Sequence, residues 1–530
     1  MNLNLVKVFL VKATIYLSLC GQSFGEVGLA VQSLKEASVG NGIMFTALDE
    51  KASGVSFVNP IDKEHPTKRL YLGAFACGGV AIGDLDGDEI ADIFLTSGPR
   101  RNRFYRGEGG MKFEDATVEA DLAGGEEWTA GASLVDIDAD GDLDIYVCNY
   151  DVPNALFVND GEGRFQERAK DFGLAISDAS LMASFCDYDL DGDLDCFLLT
   201  RDFKRDGGRP EKHPIIKTAS GLELESGFEK FYKLEKRERG NWTYTNAGRE
   251  DYLFRNDNGK FTDVSKAAGI FGRDRGNSAT WWDYDNDGLP DLYVGNDFKD
   301  ADRLYRNNGD GTFRDVIKSV TQHTPWFSMG ADIADFDGDG REDLLVADMA
   351  GTNHFRSKTT MGEIGSIRPF LVSAVPRQYM HNVLYLNQNS GLLVDAAFMA
   401  GLASSDWSWA VKVRDFDLDG LPDVFFTNGV SRSFNDSDIQ RTMDDYIGKT
   451  EWEFYESKEP RRETNLAFVN RGEMSFESIG KEWGLDHLGM SYAAATGDLD
   501  GDGDVDLVVA SLDEPVKIYR NDASADRRRV

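Results

Sequence analysis

Seven aspartate-rich segments of one spacing recur along this chain, and they constrain its fold more than any other feature. The first two hold Asp84, Asp86, Asp88 and Asp92, then Asp136, Asp138, Asp140 and Asp144. The next two hold Asp187, Asp189, Asp191 and Asp195, then Asp283, Asp285, Asp287 and Asp291. The last three hold Asp335, Asp337, Asp339 and Asp343, then Asp415, Asp417, Asp419 and Asp423, then Asp498, Asp500, Asp502 and Asp506. Each places carboxylates at positions 1, 3, 5 and 9 of a nine-residue loop. Four acids drawn together repel unless a hard cation sits among them. Calcium accepts about six to eight oxygen ligands, whereas magnesium demands near-ideal octahedral geometry and keeps its waters. The backbone carbonyl of position 7 (Ile90, Asp142, Asp193, Leu289, Arg341, Leu421 or Asp504) is a further donor. Glycine at position 6 permits the sharp turn in six loops (Gly141, Gly192, Gly288, Gly340, Gly420, Gly503), while Glu89 stands there in the first. Asp and Gly also form ordinary turns, but turn propensity does not explain one spacing repeated seven times. The expectation is up to seven calcium ions, with these aspartates as ligands.

The formal net charge is −35, and seven divalent ions would bring it to about −21. That balance argues against nucleic acid or an anionic membrane surface as the partner of the whole molecule, since both favour basic patches. The N-terminus has an export pattern. Lys7 and Lys12 precede or flank an apolar stretch, and Ser23-Phe24-Gly25 offers a cleavage site, so residues 1–25 read as a signal peptide. The expected location is secreted, periplasmic or cell-surface, where abundant calcium fills weak sites. Leu17 to Gly21 also resembles a lipoprotein box with Cys20 as a lipid anchor, although Leu19 fits poorly there. No later run of 18 apolar residues predicts a transmembrane helix. Of the remaining cysteines, Cys186 and Cys196 flank the third loop and read either as a disulfide or as two buried thiols; Cys77 with Cys148 is a weaker pairing.

The loops start at 84, 136, 187, 283, 335, 415 and 498, a unit of about 51 residues with insertions near 201–250, 350–380 and 430–465. One unit is clear: Gly276 to Trp282, Asp291 to Asn296, Arg303 to Asn307 and Thr312 to Val316 alternate as half-buried strands, with Asn308-Gly-Asp-Gly311 as a tight turn. This predicts an all-β fold, a seven-bladed β-propeller with four antiparallel strands per blade, spanning 40–521 and followed by a short tail, 522–530. The seventh unit has only three strands before the chain ends. Gly42 to Leu48 is expected to supply the fourth and close the ring. The insertions leave from the second strand and should gather on one face, where long loops on a rigid scaffold carry recognition.

With those parts in hand, the chain resembles the FG-GAP or VCBS-type repeats of calcium-binding propellers, including the integrin α-subunit head. It is most similar to the ASPIC/UnbV-related group around cartilage acidic protein. The resemblance rests on Phe113-Glu-Asp-Ala-Thr, Phe261-Thr-Asp-Val-Ser, Ala268-Gly-Ile270, Arg377-Gln-Tyr-Met, Asp406-Trp-Ser-Trp409 and Gly497 to Asp504. Members often carry a further C-terminal domain; this chain ends within ten residues of its last strand, so nothing belonging to that domain carries over.

Three functional classes stay open. The favoured one is a non-catalytic binding or adhesion module for protein or glycan ligands. A second is a polysaccharide lyase using the central cleft, with His354, Arg356, Lys358 and His381 as its residues. A third is a structural matrix component. No His-Glu-x-x-His, Gly-x-Ser-x-Gly or Walker loop occurs, so no catalytic residue is assigned. Trp281, Trp282, Trp326, Phe327, Trp407 and Trp409 read first as packing between blades, with ligand stacking as the alternative.

Overall fold

The computed structural model describes residues 43–523, apart from 74–76, 220, 237–241, 299, 361–373, 389, 440–444 and 446. The segment read as a signal peptide (1–25), the lipid-anchor reading of Cys20 and residues 524–530 lie outside the described residues. The fold is all-β and propeller-like, with one-turn helices between sheets. Among the described residues five sheets have four strands, and an eight-stranded sheet is two such units joined where Ser177 pairs with Pro153 and Ala179 with Tyr150. Strands follow one another antiparallel within each unit. In the fourth, Gly276–Trp282, Asp291–Asn296, Arg303–Asn307 and Phe313–Asp315 pair in sequence. The aspartate loop joins the first strand to the second, and its position 9 is the first residue of the second strand (Asp291 opposite Trp282).

The second strands are buried along their whole length, as in Asp195–Thr200 and Asp423–Asn428. They are covered on both faces by neighbouring sheets, which is why they read as continuous apolar runs rather than alternating ones. Apolar clusters accordingly bridge consecutive units. Trp282, Tyr293 and Leu304 of the fourth pack with Leu344, Val346 and Tyr385 of the fifth. The first strands also adjoin in order, Val80–Gly83 against Thr129–Val135, and so on to Ser491–Gly497, which lies against Val80–Gly83.

The seventh unit draws its fourth strand from the N-terminus: Phe45–Leu48 pairs antiparallel with Lys517–Asn521, Phe45 opposite Asn521. That is the register of Phe313 opposite Asn307 in the fourth unit. The turn that follows repeats as well. Gly54 adopts φ 85°, and a Cβ there would meet the Phe113 carbonyl oxygen at 2.2 Å. Gly484, at φ 81°, stands against the Phe45 carbonyl in the same way, at 2.8 Å.

The disulfide reading fails on register. Phe185 lies opposite Cys196, and Cys186 lies opposite Asp195. The one-residue offset sends the two thiols to opposite faces, and the four described cysteines are free. Cys77 and Cys148 belong to different apolar clusters.

Candidate functional site: seven acidic loops and a basic cavity

Each loop is wound by its own carboxylates. In the fourth, Asp283 accepts the N–H groups of Asp287 (3.1 Å) and Gly288 (2.9 Å), and Asp287 accepts that of Leu289 (3.0 Å). Asp291, fully buried, accepts N–H from Tyr284 (3.3 Å) with one oxygen and from Asn307 (2.7 Å) with the other. The same pattern holds in the seventh loop, with Asp498, Asp502 and Asp506 in these roles. The tight winding needs left-handed backbone at two positions. Position 6 has it in Gly288 (φ 85°) and also in Glu89 (φ 68°), so the first loop keeps the turn without glycine. Position 4 has it too, in Leu190 (φ 60°) and Leu418 (φ 58°), where a side chain makes that conformation costly.

The winding brings position 1, 3 and 9 carboxylates together: Asp84, Asp86 and Asp92; Asp136, Asp138 and Asp144; Asp187, Asp189 and Asp195; Asp283, Asp285 and Asp291 each place oxygens within 4.8 Å of one another. Position 5 spends one oxygen on the loop backbone, as Asp88, Asp140 and Asp339 do. The arrangement strains its own charge. Burial, only partly offset by the two backbone donors, pushes Asp92, Asp144 and Asp195 up to about 7 and Asp291, Asp423 and Asp506 up to about 8. Burial and then neighbouring carboxylates raise Asp86, Asp138 and Asp189 as well. One buried oxygen on each of Asp86, Asp189 and Asp285 meets no hydrogen-bond donor. An all-oxygen, anionic site with unmatched acceptors facing inward fits a hard cation. In the fourth loop an arginine already supplies part of that charge: Arg306 reaches Asp285 (2.6 Å) and Asp287 (2.7 Å).

A second feature was not read from the sequence. The first and third insertions, with residues 69–73, enclose a cavity of about 780 Å³. Among the described residues, eight lysines and arginines line it (Arg69, Arg201, Lys204, Arg205, Arg209, Lys233, Arg275, Lys449) against Asp297, Asp300 and Glu451. A cavity of this sign stands out in a chain with 92 acidic and 57 basic residues. Its aromatic lining includes Trp242, Tyr244, Phe298, Trp407 and Trp452. Arg209 donates to the Tyr244 hydroxyl (3.0 Å) and lies over its ring. Arg275 and Lys233 converge on Asp300; burial opposes ionisation there, but the two cations outweigh it and hold that carboxyl below its usual range. The insertions hold one another, Arg209 bridging to Ile447 and Thr359 accepting the N–H of Ser437. The clue in the sequence was the run of Lys and Arg in the first insertion, which reads as a solvated surface until the third insertion is folded over it.

The residues considered for a lyase are not brought together. Arg356 is held by Asp406 and Glu463, each at 2.9 Å. His354 and Lys358 are exposed, and His381 sits with Asp395 on the fifth sheet. None of the four is among the described residues that line the cavity. Trp282, Trp326 and Trp407 are buried in the packing between units, as expected of them, and Trp407 and Trp409 also back the cavity.

The FG-GAP-like repeat family matches residues 84–147, 136–198 and 283–346. Human cartilage acidic protein 1 is 22% identical over 435 residues, covering 74% of this chain. The chain spans only 58% of that relative's length. Among solved structures, an Agrocybe aegerita lectin recognising non-reducing terminal N-acetylglucosamine covers 84% of this chain and 95% of its own, at 16% identity and a TM-score of 0.39. The V. cholerae biofilm matrix protein Bap1 covers 92% of each chain at 10% identity, with a TM-score of 0.33. The exotype rhamnogalacturonan lyase YesX covers 83% of this chain and 81% of its own at 14% identity, with a TM-score of 0.30. Likenesses this distant carry nothing about ligand or activity.

Proposed function

We infer that this chain, an FG-GAP-repeat protein distantly related to cartilage acidic protein 1, is an exported calcium-stabilised binding module that captures an anionic glycan. In this reading its sheets are the seven blades of a closed propeller spanning 40–521. Three observations support the closure: the N-terminal strand completes the seventh sheet, first strands adjoin in order from unit to unit, and Gly54 and Gly484 repeat the contacts seen between other units. Calcium would occupy up to seven loops, held by the position 1, 3, 5 and 9 aspartates and position 7 carbonyls, and would neutralise their repulsion. No described helix is long and apolar enough to cross a membrane.

The observation that carries the binding role is the cavity. Its volume falls in the usual range for ligand sites, about 300–1,000 Å³. Rings offer flat apolar faces for pyranose stacking, and guanidinium groups pair with carboxylate or sulfate in two-pronged fashion. A non-catalytic role suits a lining in which Asp297 and Asp300 are held by Arg201, Arg275 and Lys233 rather than poised as acid and base. A glycan array run in calcium should show capture of uronate-rich or sulfated oligosaccharides. Reversing charge at the cavity lining, half-buried Arg205→Glu with exposed Lys449→Glu, should weaken capture at least tenfold. Binding to neutral glycans or acidic peptides alone would replace the ligand class, and cleavage of a bound polysaccharide would overturn the non-catalytic reading.

A further inference from the structure

The fifth sheet carries a site of different chemistry from the loops. Asp395 ends the short strand Leu393–Asp395, a place held by Asp115, Asp263 and Asp315 in other units. One oxygen of each has the same local duty. Asp395 accepts the N–H of Ala397 (2.9 Å), as Asp115 accepts that of Thr117 and Asp315 that of Ile317. The other oxygen faces an arginine in the first and fourth units, Arg103 and Arg303. In the fifth unit Val383 stands at the register of those arginines, and the cation is gone. Two imidazoles replace it. His323 Nε2 and His381 Nε2 each lie 3.0 Å from the same Asp395 Oδ2.

The two histidines come from separate segments. His323 opens the strand His323–Pro325, and His381 follows Arg377–Tyr379, where the second insertion returns. These strands pair in parallel, His323 opposite Arg377. The backbone at His323 is anchored, its carbonyl accepting from Tyr385 Oη (2.8 Å) and Thr321 Oγ1 (3.0 Å). The three ligand atoms lie within 4.8 Å of one another. Atoms about 2.0–2.1 Å from a common ion stand about 2.9 Å apart at a right angle and about 3.3 Å apart at the tetrahedral angle. The two Nε2 to Oδ2 separations lie between those limits.

We propose that His323, His381 and Asp395 bind one zinc-class divalent ion, with a fourth position open towards solvent between the exposed rings of Tyr379 and Phe398. Two imidazole nitrogens with one carboxylate select a borderline ion such as zinc or cobalt over calcium, which prefers all-oxygen sites. The ion takes the place of the hydrogens between the two Nε2 atoms and Asp395 Oδ2 and makes three coordinate bonds, each imidazole binding neutral with its hydrogen on Nδ1. It thereby clamps the end of the second insertion to the fifth sheet.

The test uses the full chain in excess calcium, so that the aspartate loops do not compete. Titration with cobalt(II) should give visible bands of nitrogen and oxygen ligation at one ion per chain, displaced by zinc. His381→Gln and His323→Gln should each lower zinc affinity at least tenfold while leaving the calcium-dependent melting temperature unchanged. Asp395→Asn, which keeps the oxygen that accepts from Ala397, should do the same. No cobalt bands in excess calcium, or histidine variants that bind as the parent does, would overturn the site. Loss of binding together with loss of the calcium-dependent melt in every variant would also count against it, because the triad would then serve only the fold.

Discussion

An asparagine recurs where the third strand ends, and in the second, fourth and seventh units it ties the acidic loop to the one before. Asn307 gives its backbone N–H to Asp291 of its own loop, and its side-chain amide donates to Pro290 O (3.1 Å) and across to Tyr188 O of the third loop (2.8 Å). Asn159 reaches Leu85 O, and Asn521 reaches Phe416 O, in the same way. Replacing Asn307 by Ala keeps the backbone bond and leaves the buried Tyr188 carbonyl and the part-buried Pro290 carbonyl without that donor. We expect a loss of about 1–3 kcal/mol, read as a lower denaturant midpoint in the calcium-loaded protein. Another buried position shows a residue at odds with its setting. Where the third strand begins, Asn154, Asn382 and Asn465 accept a backbone N–H with the side-chain oxygen. Asp302 does so in the fourth unit, taking the N–H of Asn296. Burial pushes it up to about 7, against donors that include Tyr293 and Ser328. The folded state therefore binds a proton that the unfolded chain releases near pH 4. Stability from this group is present at acid pH and declines as pH rises from about 4 to 7. Asp302→Asn removes the titration. Its melting temperature should exceed that of the parent at pH 8 and match it near pH 4; an equal gain at both would refute the assignment.

At the scale of strands and loops, the period of the acidic motif gave direct access to the fold. Alternation within Gly276–Trp282 and the Asn308 to Gly311 turn placed a whole unit to within a residue or two. The N-terminal strand was legible because Phe45-Thr-Ala repeats the position of Phe313-Arg-Asp, and Gly54 repeats Gly269 as a left-handed stop. What stayed hidden depends on pairing between distant segments. The Cys186 register, one residue off, follows from how Ser177–Cys186 meets Asp195–Thr200. The cavity needs the first and third insertions folded together, and the His323–His381–Asp395 cluster needs a parallel pairing across the second. No local pattern encodes such contacts. The N-terminal strand also differs physically from its counterparts, since about 470 residues separate it from its partner strand while Phe313–Asp315 is tethered by a turn. Phe45 packs edge-on to Phe416 (5.7 Å) and near Trp483 (6.1 Å). Phe45→Ala should cost about 3–5 kcal/mol and release the whole strand, so that amides 46–48 lose protection from hydrogen exchange. Phe313→Ala, a loss of the same ring, should leave its own hairpin protected. Equal exchange in the two variants would mean that closure does not depend on this strand.

For the whole molecule, the controlling quantity is the concentration of negative charge. Seven loops hold most of the chain's excess acid at the first-to-second strand turns. Within each loop the raised carboxyls show that the fold pulls these groups out of water before anything balances them. Arg306 and Arg106 supply a built-in cation in the fourth and first loops, but the third has no arginine on Asp189 at salt-bridge distance among the described residues. In the proposed reading the remaining balance comes from bound ions, and binding to the folded state alone would stabilise by mass action, about 2.7 kcal/mol per site at a hundredfold excess over Kd. Calcium should therefore raise the melting temperature by well over ten degrees relative to EDTA, magnesium far less, with about five to seven ions retained per chain. Because Asn307 joins the fourth loop to the third, as Asn159 and Asn521 join theirs to the preceding ones, ion release there should propagate. Removing a single ligand, as in Asp283→Ala, should lower the melt of the whole calcium-loaded chain in one transition rather than release one unit on its own. A calcium-independent melt would reduce the loops to turns. A separate early transition in the Asp283 variant would show that the units melt independently and that the links between loops do not couple them.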